Sequence, residues 1–329
     1  MAGAGPVLRW TACHRARCRH ARRANGDGRV NAPEAALRMA AGVPLSPALA
    51  AGIDRALRAL NADPGETCLS EHAFANLFLF RQAHAYRYVG GDYPHVSGLT
   101  YDGARHALPL FTLETTPLPV VRALLREHDC LYPLSTNQVA RLDPGIFTWS
   151  EARADADYLY PAANFAAYRG TTLAKKRNLV KQLLAAHTVT ARPYHTGLAG
   201  EAMAVHAGWM QAKRKADGEA DDAPCCEALQ LADALGLEGF LYEVAGQPAG
   251  FVLAQEIRPA VFAMRFAKGL DTCKGIYQYM FQHFCTAFAR PVAWLNFEQD
   301  MGLDNFRQTK ISYAPSALLP KYRVRLRVD

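Results

Sequence analysis

The sequence predicts a mixed α/β (α+β) protein behind a short basic arm, and three observations lead there. Half of the 329 residues are hydrophobic, enough for a sizeable core in one large domain or two ordinary ones. The second half switches repeatedly between helical stripes and the period-two pattern of strands. The stretch "RWTACHRARCRHARR" (Arg9 to Arg23) is instead strongly basic and carries no periodic apolar pattern.

Taken in order, "NGDGRVNAPEAALRMAAG" predicts a turn and a short helix, with Pro33 suited to a first helical turn. From about Cys68 a globular pattern begins. In "SEHAFANLFLFRQ", Ser70 is the expected N-cap, and Phe74, Leu77, Phe78 and Arg81 fall at helical spacing. Short strands follow around Tyr86–Val89, Val96–Leu99 and His106–Leu110, and Pro117 to His128 predicts a helix; no strand order can be read here. "TTLAKKRNLVKQLLAAH" predicts an amphipathic helix with Leu173, Val180, Leu183 and Leu184 inward. Met203–Lys215 and Cys226–Leu235 are further helices. "GFLYEVA", the turn "GQPAG" and "FVLAQEI" form a hairpin, and "AVFAMRFA" adds a third strand. "KGIYQYMFQHFCTAF" is a helix with the stripe Ile276, Tyr277, Met280, Phe281, Phe284 and Phe288. "PVAWLNFE" is a strand, Leu303 begins a short helix, and "YRVRLRV" is a last strand. Helices, a three-stranded meander, helix, strand, helix, strand: this succession resembles the layout of a GNAT-type acyltransferase domain.

Charge narrows the partners without naming one. Lys and Arg outnumber Asp and Glu by 37 to 30, a net +7 that suits nucleic acid, phosphate or an anionic membrane surface. No apolar run is long enough to span a bilayer, and no apolar segment follows the basic N-terminus as in a secretory signal. The eight cysteines show no disulfide framework, so a reducing, cytoplasmic setting is expected.

The densest charge lies in "WLNFEQDMGLDNFRQTKISYAP" (Trp294 to Pro315). If Pro291 to Asp300 is one strand, Asn296, Glu298 and Asp300 share a face, and mutual repulsion leaves one carboxyl protonated near neutrality. Gly302 then breaks the strand, Asp304 caps the next helix, and Arg307 and Lys310 project from one side of it. The chemical reading is a site where Glu298 or Asp300 takes a proton and Arg307 or Lys310 stabilises an anion. The alternative is an ion-pair network closing a helix against a strand.

This closing motif resembles that of a large bacterial family sharing the C-terminal domain of phosphatidylglycerol lysyltransferases. "HAFANLFLFR", "YRGTTLAKKRNLVKQL" and "KGIYQYMFQHF" agree with it, in order, over about Cys68 to Tyr322. The family is similar to Fem-type aminoacyltransferases and is built from two GNAT-like domains in tandem. The resemblance therefore implies a basic extension over 1–65 and an N-terminal GNAT-like domain over 66–165. A C-terminal one, each with a mixed sheet flanked by helices, would follow over 166–329. It implies transfer of an aminoacyl group from aminoacyl-tRNA to a hydroxyl or amine of a lipid or small molecule. The matching positions are Lys176, Arg177 and Asn178, then Asn296, Glu298, Gln299, Asp300, Gly302, Arg307, Lys310 and Pro315. Asn296, Gln299, Lys176, Arg177, Asn178 and Tyr313 are the expected substrate contacts. The chain departs from the family at Ala267, where an acidic residue often precedes the lysine.

For the donor, "KGLDTCKGIYQ" fits no pyrophosphate loop of the acetyl-CoA enzymes, which disfavours acyl-CoA as the alternative donor. Lys268, Lys274 and Gly275 at this helix start remain candidates for a phosphate of tRNA. Arg323, Arg325 and Arg327, on one face of the last strand, make with Lys321 a basic ribbon suited to a polyanion; the plain alternative is a charge-protected edge strand. No tightly bound cofactor is expected. Peripheral contact with an anionic membrane, or non-catalytic binding of RNA or anionic lipid, stays open.

Other signals are discounted. "RANGDGRVNAPE" places Arg23 where a calcium loop needs a carboxylate. Cys13, His14, Cys18 and His20 lack a zinc spacing, and Cys225 and Cys226 are adjacent, unlike a chelating pair. No metal is expected, and no Ser or Cys stands in a nucleophile elbow.

Overall fold

The structure, a computed structural model, describes residues 42–61, 69–215 and 221–327. The basic stretch Arg9–Arg23, the loop Arg23–Glu34, the helix expected after Pro33 and the set Cys13, His14, Cys18 and His20 lie outside the described residues.

The first part of the chain supplies β1 (Val43–Pro44), α1 (Ala50–Leu60), α2 (Phe74–Leu79), β2 (Arg87–Val89), β3 (His95–Leu99), β4 (Arg105–Pro109), α3 (Leu118–Glu127), β5 (Cys130–Leu134), α4 (Thr136–Ala140) and β6 (Phe147–Glu151). Then come β7 (Asp157–Pro161), α5 (Ala162–Ala167), α6 (Ala174–Ala186), β8 (Val189–Pro193), α7 (Ala199–Ala212), α8 (Asp222–Leu231), β9 (Glu238–Val244), β10 (Gln247–Arg258) and β11 (Val261–Gly269). The chain closes with α9 (Ile276–Ala287), β12 (Trp294–Asn296), α10 (Asp304–Ile311), β13 (Ala317–Leu319) and β14 (Tyr322–Leu326).

Two mixed seven-stranded sheets result, ordered β1-β2-β3-β4-β5-β14-β6 and β13-β7-β12-β11-β10-β9-β8. Both follow one plan. An antiparallel meander (β2-β3-β4, β9-β10-β11) is followed by a helix (α3, α9) and a strand parallel to the meander's last (β5 on β4, β12 on β11). A parallel neighbour needs a crossover, and the helix provides it. The succession expected for the second half is thus present, and the first half repeats it.

The halves then exchange strands. β7 pairs antiparallel with β12 and β13, while β14 inserts antiparallel between β5 and β6. Sheet membership therefore does not follow a division between residues 165 and 166. β1 and α1, within the stretch assigned to the extension, also join the first unit, where Ile53 and Leu57 are buried beside Phe74 and Phe78.

Local expectations divide in the same way. The α9 stripe packs as its spacing requires, with Ile276, Met280, Phe281 and Phe284 buried and Tyr277 and Phe288 against them. Leu184, expected inward, is 49% exposed, because α6 buries only the Val180 and Leu183 side. Ser70 is no N-cap: α2 starts at Phe74, whose N–H donates to Asp54 of α1 at 2.8 Å. Asp304 makes no cap bond and begins α10 exposed. β14 is an interior strand, so its charges do not guard an edge.

Candidate functional site

β12 ends at Asn296, earlier than its apolar run suggests, because the chain turns left-handed at Glu298 (φ 56°). Met301 (φ 55°) and Gly302 (φ 74°) repeat that conformation, so the strand alternation expected through Asp300 is lost. A non-glycine residue there costs of order 1–3 kcal/mol, and the surroundings hold it. The Asn296 side-chain oxygen accepts from Glu298 N–H at 2.7 Å, and Tyr158 N–H donates to the Glu298 carbonyl at 3.2 Å. Lys310 of α10 donates to the carbonyls of Phe297 (2.5 Å), Glu298 (3.1 Å) and Gln299 (2.6 Å). Burial lowers its ammonium to a pKa of about 8 against the opposing pull of Glu298. All three of its protons go to backbone carbonyls, so Lys310 shapes the turn instead of offering a charge to a ligand.

Asp300 leaves Glu298 for a clamp of its own. Its Oδ2 accepts from Tyr158 OH (2.6 Å), Arg153 (3.0 Å) and Arg307 (3.0 Å), and its Oδ1 accepts from Gly302 N–H (2.9 Å). Burial pushes its pKa up, but Arg307, Tyr158 and Gly302 outweigh that and hold it well below the usual carboxylate range. The expectation that Asp300 takes a proton near neutrality is overturned, and Arg307 is its partner.

Glu298 meets a different set. Arg265, on β11 and fully buried in its side chain, donates to Glu298 at 2.6 Å, to Gln255 at 2.9 Å and to the Ser70 carbonyl at 2.9 Å. Beyond it, where β7 and β14 cross between the sheets, Lys321 is wholly buried. It donates to Glu71 (2.6 Å), Asp157 (2.6 Å) and the Gln299 Oε1 (2.7 Å). Asp157 also accepts from Ser70 N–H (2.7 Å) and the Asn296 amide (3.0 Å). The two acids divide accordingly. Asp157 lies below its ordinary pKa because Lys321 and these donors outweigh burial, whereas burial prevails at Glu71 and raises it. Glu71 is thus the carboxyl inclined to hold a proton.

Glu71, Glu298 and Gln299 line a cavity of about 30 Å³, with Tyr86, Tyr101 and Tyr132 among its other walls. Gln299 donates to Tyr101 OH at 3.0 Å across it. The arrangement joins two carboxyl groups from different units, one oriented by arginine and one by lysine.

The other expected site residues lie elsewhere. Lys176 donates to Ser312 at 2.8 Å, Arg177 to the Tyr168 carbonyl at 2.5 Å, and Asn178 is exposed. Tyr313 is a buried core ring that accepts from Gln278 at 2.9 Å. Lys268 is buried, held by both oxygens of Asp221 (2.7 and 2.9 Å), and is not free for phosphate; Lys274 is exposed. Gly275 (φ 97°) serves packing, since a Cβ there would come within 2.4 Å of the Leu179 carbonyl. Arg323 donates to Asp102 at 2.6 Å and Arg325 to the Asp129 carbonyl at 3.0 Å, so the basic ribbon is largely neutralised or tied to the sheet.

Glu71, Asp157 and Arg265 escaped the sequence reading, and Lys321, expected in the basic ribbon, is instead buried against Glu71 and Asp157. One signal was available: Arg265 stands in the middle of the apolar run "AVFAMRFA", where a charge must be paired.

Residues 66–325 match a family described as phosphatidylglycerol lysyltransferase, C-terminal. No curated protein matches the chain by sequence. Among solved structures, a conserved protein of unknown function from Bacteroides thetaiotaomicron superposes with a TM-score of 0.70 at 21% identity, over 87% of this chain and 99% of that one. L-PGS from Bacillus licheniformis gives 0.53 at 14% identity, over 82% and 90%. A structure of FemX gives 0.56 at 8% identity, over 86% and 96%.

Proposed function

Given that the chain belongs to the phosphatidylglycerol lysyltransferase C-terminal family, we propose that it is an aminoacyltransferase. It moves an aminoacyl group from aminoacyl-tRNA to a hydroxyl or amine of a lipid or small molecule, in the cytoplasm, where charged tRNA is available. The observation that carries this reading is the cavity between the sheets, lined by both Glu71 and Glu298.

In that site the acceptor oxygen or nitrogen attacks the ester carbonyl, and the bond to the tRNA ribose breaks. The acceptor's proton passes to the Glu298 carboxyl, which Arg265 orients, and a proton returns to the ribose oxygen. Glu71 is the second proton carrier. Lys310 and Asn296 hold the turn that aims Glu298. At about 30 Å³ the cavity has room for water only, so the donor widens it by separating Gln299 from Tyr101. The close packing at Gly275 gives no support to an acyl-CoA donor. Among the described residues no helix is long and apolar enough to cross a membrane.

The test follows a labelled aminoacyl group from charged tRNA into a panel of hydroxyl and amine acceptors. Glu298→Gln should lower transfer by about 10²–10⁴-fold with little change in tRNA affinity. Turnover with acetyl-CoA but not with charged tRNA would replace this reading with the acyl-CoA one. Salt-sensitive RNA binding without any transfer would leave only a binding module.

A further inference from the structure

We propose that His206, Asp222 and Cys226 form a binding site for a zinc-class divalent ion, joining α7 to the start of α8. Asp222 and Cys226 are four residues apart at the N-terminus of α8 and so share one face of it. His206, on α7, faces them. Its Nε2 lies 2.8 Å from Asp222 Oδ1, and Cys226 Sγ lies 3.7 Å from the same oxygen. The three donor atoms all fall within 4.8 Å of one another.

These spacings approach those required by the metal. With bonds of about 2.0 Å to nitrogen and oxygen and about 2.3 Å to sulfur, a tetrahedral ion spreads its ligand atoms to roughly 3.3–3.6 Å. The oxygen–sulfur distance already fits. The histidine–carboxylate contact opens by about half an ångström as its shared proton is replaced by the ion. One nitrogen, one oxygen and one thiolate suit zinc or cobalt, and are too soft a set for calcium or magnesium. A fourth position is left for water.

The surroundings separate this trio from its charged neighbours. Lys268 stands beside it, but its ammonium is taken by both oxygens of Asp221 and lies 3.9 Å from the centre of the Trp209 ring. Asp222 is thus the carboxylate next in sequence that faces the histidine. Trp209 also stacks on His206, at 6.1 Å between ring centres and 15° between planes, which fixes the imidazole. The other ring nitrogen, Nδ1, is buried without a hydrogen-bond partner. A zinc-bound histidine usually donates from that nitrogen to a carboxylate or carbonyl. The affinity should therefore fall short of that of closed structural zinc sites. Binding requires the Cys226 thiolate and releases its proton, so affinity should drop as pH falls.

The experiment uses the full chain, stripped with a chelator and titrated with Zn²⁺ against a competing indicator, then with Co²⁺. One equivalent should bind, raise Tm, and give a thiolate-to-cobalt charge-transfer band. Cys226→Ser should abolish the band, and His206→Gln should weaken Zn²⁺ binding ~10-fold or more. A Cys13→Ser/Cys18→Ser double variant should keep both, separating this site from the N-terminal Cys13, His14, Cys18 and His20. Absence of the band in the unaltered chain, its survival in Cys226→Ser, or its loss in the double variant would each overturn the proposal.

Discussion

Two charge networks flank the turn at Glu298, and they differ in how they meet water. Around Lys321 the ammonium and Asp157 are both sealed, at 0% side-chain exposure, and Glu71 is nearly so at 9%. Around Asp300 the carboxylate and Tyr158 are sealed, but the charged partners Arg153 and Arg307 keep 41% and 34% of their side chains exposed. In the first network no member can regain water if another is lost. In the second each arginine can. The first therefore ties the exchanged strands β7 and β14 together, and the second trims a loop.

The largest effect that sharpens this contrast should come from Lys321→Met. It leaves Asp157 buried without a counter-charge and should cost about 3–5 kcal/mol in urea unfolding. Adding Asp157→Asn and Glu71→Gln should recover much of that loss; failure to recover would mean that Lys321 acts chiefly through packing.

Acid should act next, and on the sealed side first. Burial lowers His72 to about 4 and His106 to about 3, both in the first unit. Their unfolded forms bind protons from about pH 6.5 downward, while the folded forms do not until far lower. Stability is therefore fully present above that point and declines as the pH falls from 6.5 toward 4. The Asp300 clamp, held below the ordinary carboxylate range, keeps its charge throughout this window. Denaturation midpoints across pH 7 to 4 check this, and a flat profile would contradict it.

Asp300→Asn should have an intermediate effect, about 1–3 kcal/mol, since it weakens charge-assisted bonds to groups that water can still reach. Arg153→Ala should be smallest, below about 1 kcal/mol, because Arg307, Tyr158 and Gly302 still hold the carboxylate. If Arg153→Ala matched Lys321→Met, the distinction between the two networks would fail.

Much of the fold was legible in one dimension. The α9 stripe, the β9-β10-β11 meander and the alternation of β14, with Val324 buried between Arg323 and Arg325, are local patterns. They are legible because amphipathic period and burial are set by neighbours three or four residues away, or two in a strand. The site was legible only in part. Glu298 was singled out and lines the cavity with Glu71, but its supposed mate Asp300 is separated from it by the left-handed turn, which no alternation rule anticipates. Lys310 was singled out for its charge, and its protons are occupied by carbonyls that its own sequence neighbourhood does not reveal.

By itself, then, the sequence determined α9, the β9-β10-β11 meander and the alternation of β14, and it singled out the charged segment that holds Glu298. Only the tertiary structure decided that β7 and β14 trade sheets, and hence that Asp157 and Lys321, far apart in the chain, become one buried pair. Only it decided that burial raises the pKa of Glu71 while Lys321 and its other donors lower that of Asp157. The physical reason is that a pKa and a strand's partner both depend on desolvation and charge supplied from distant parts of the chain, and a one-dimensional pattern carries neither.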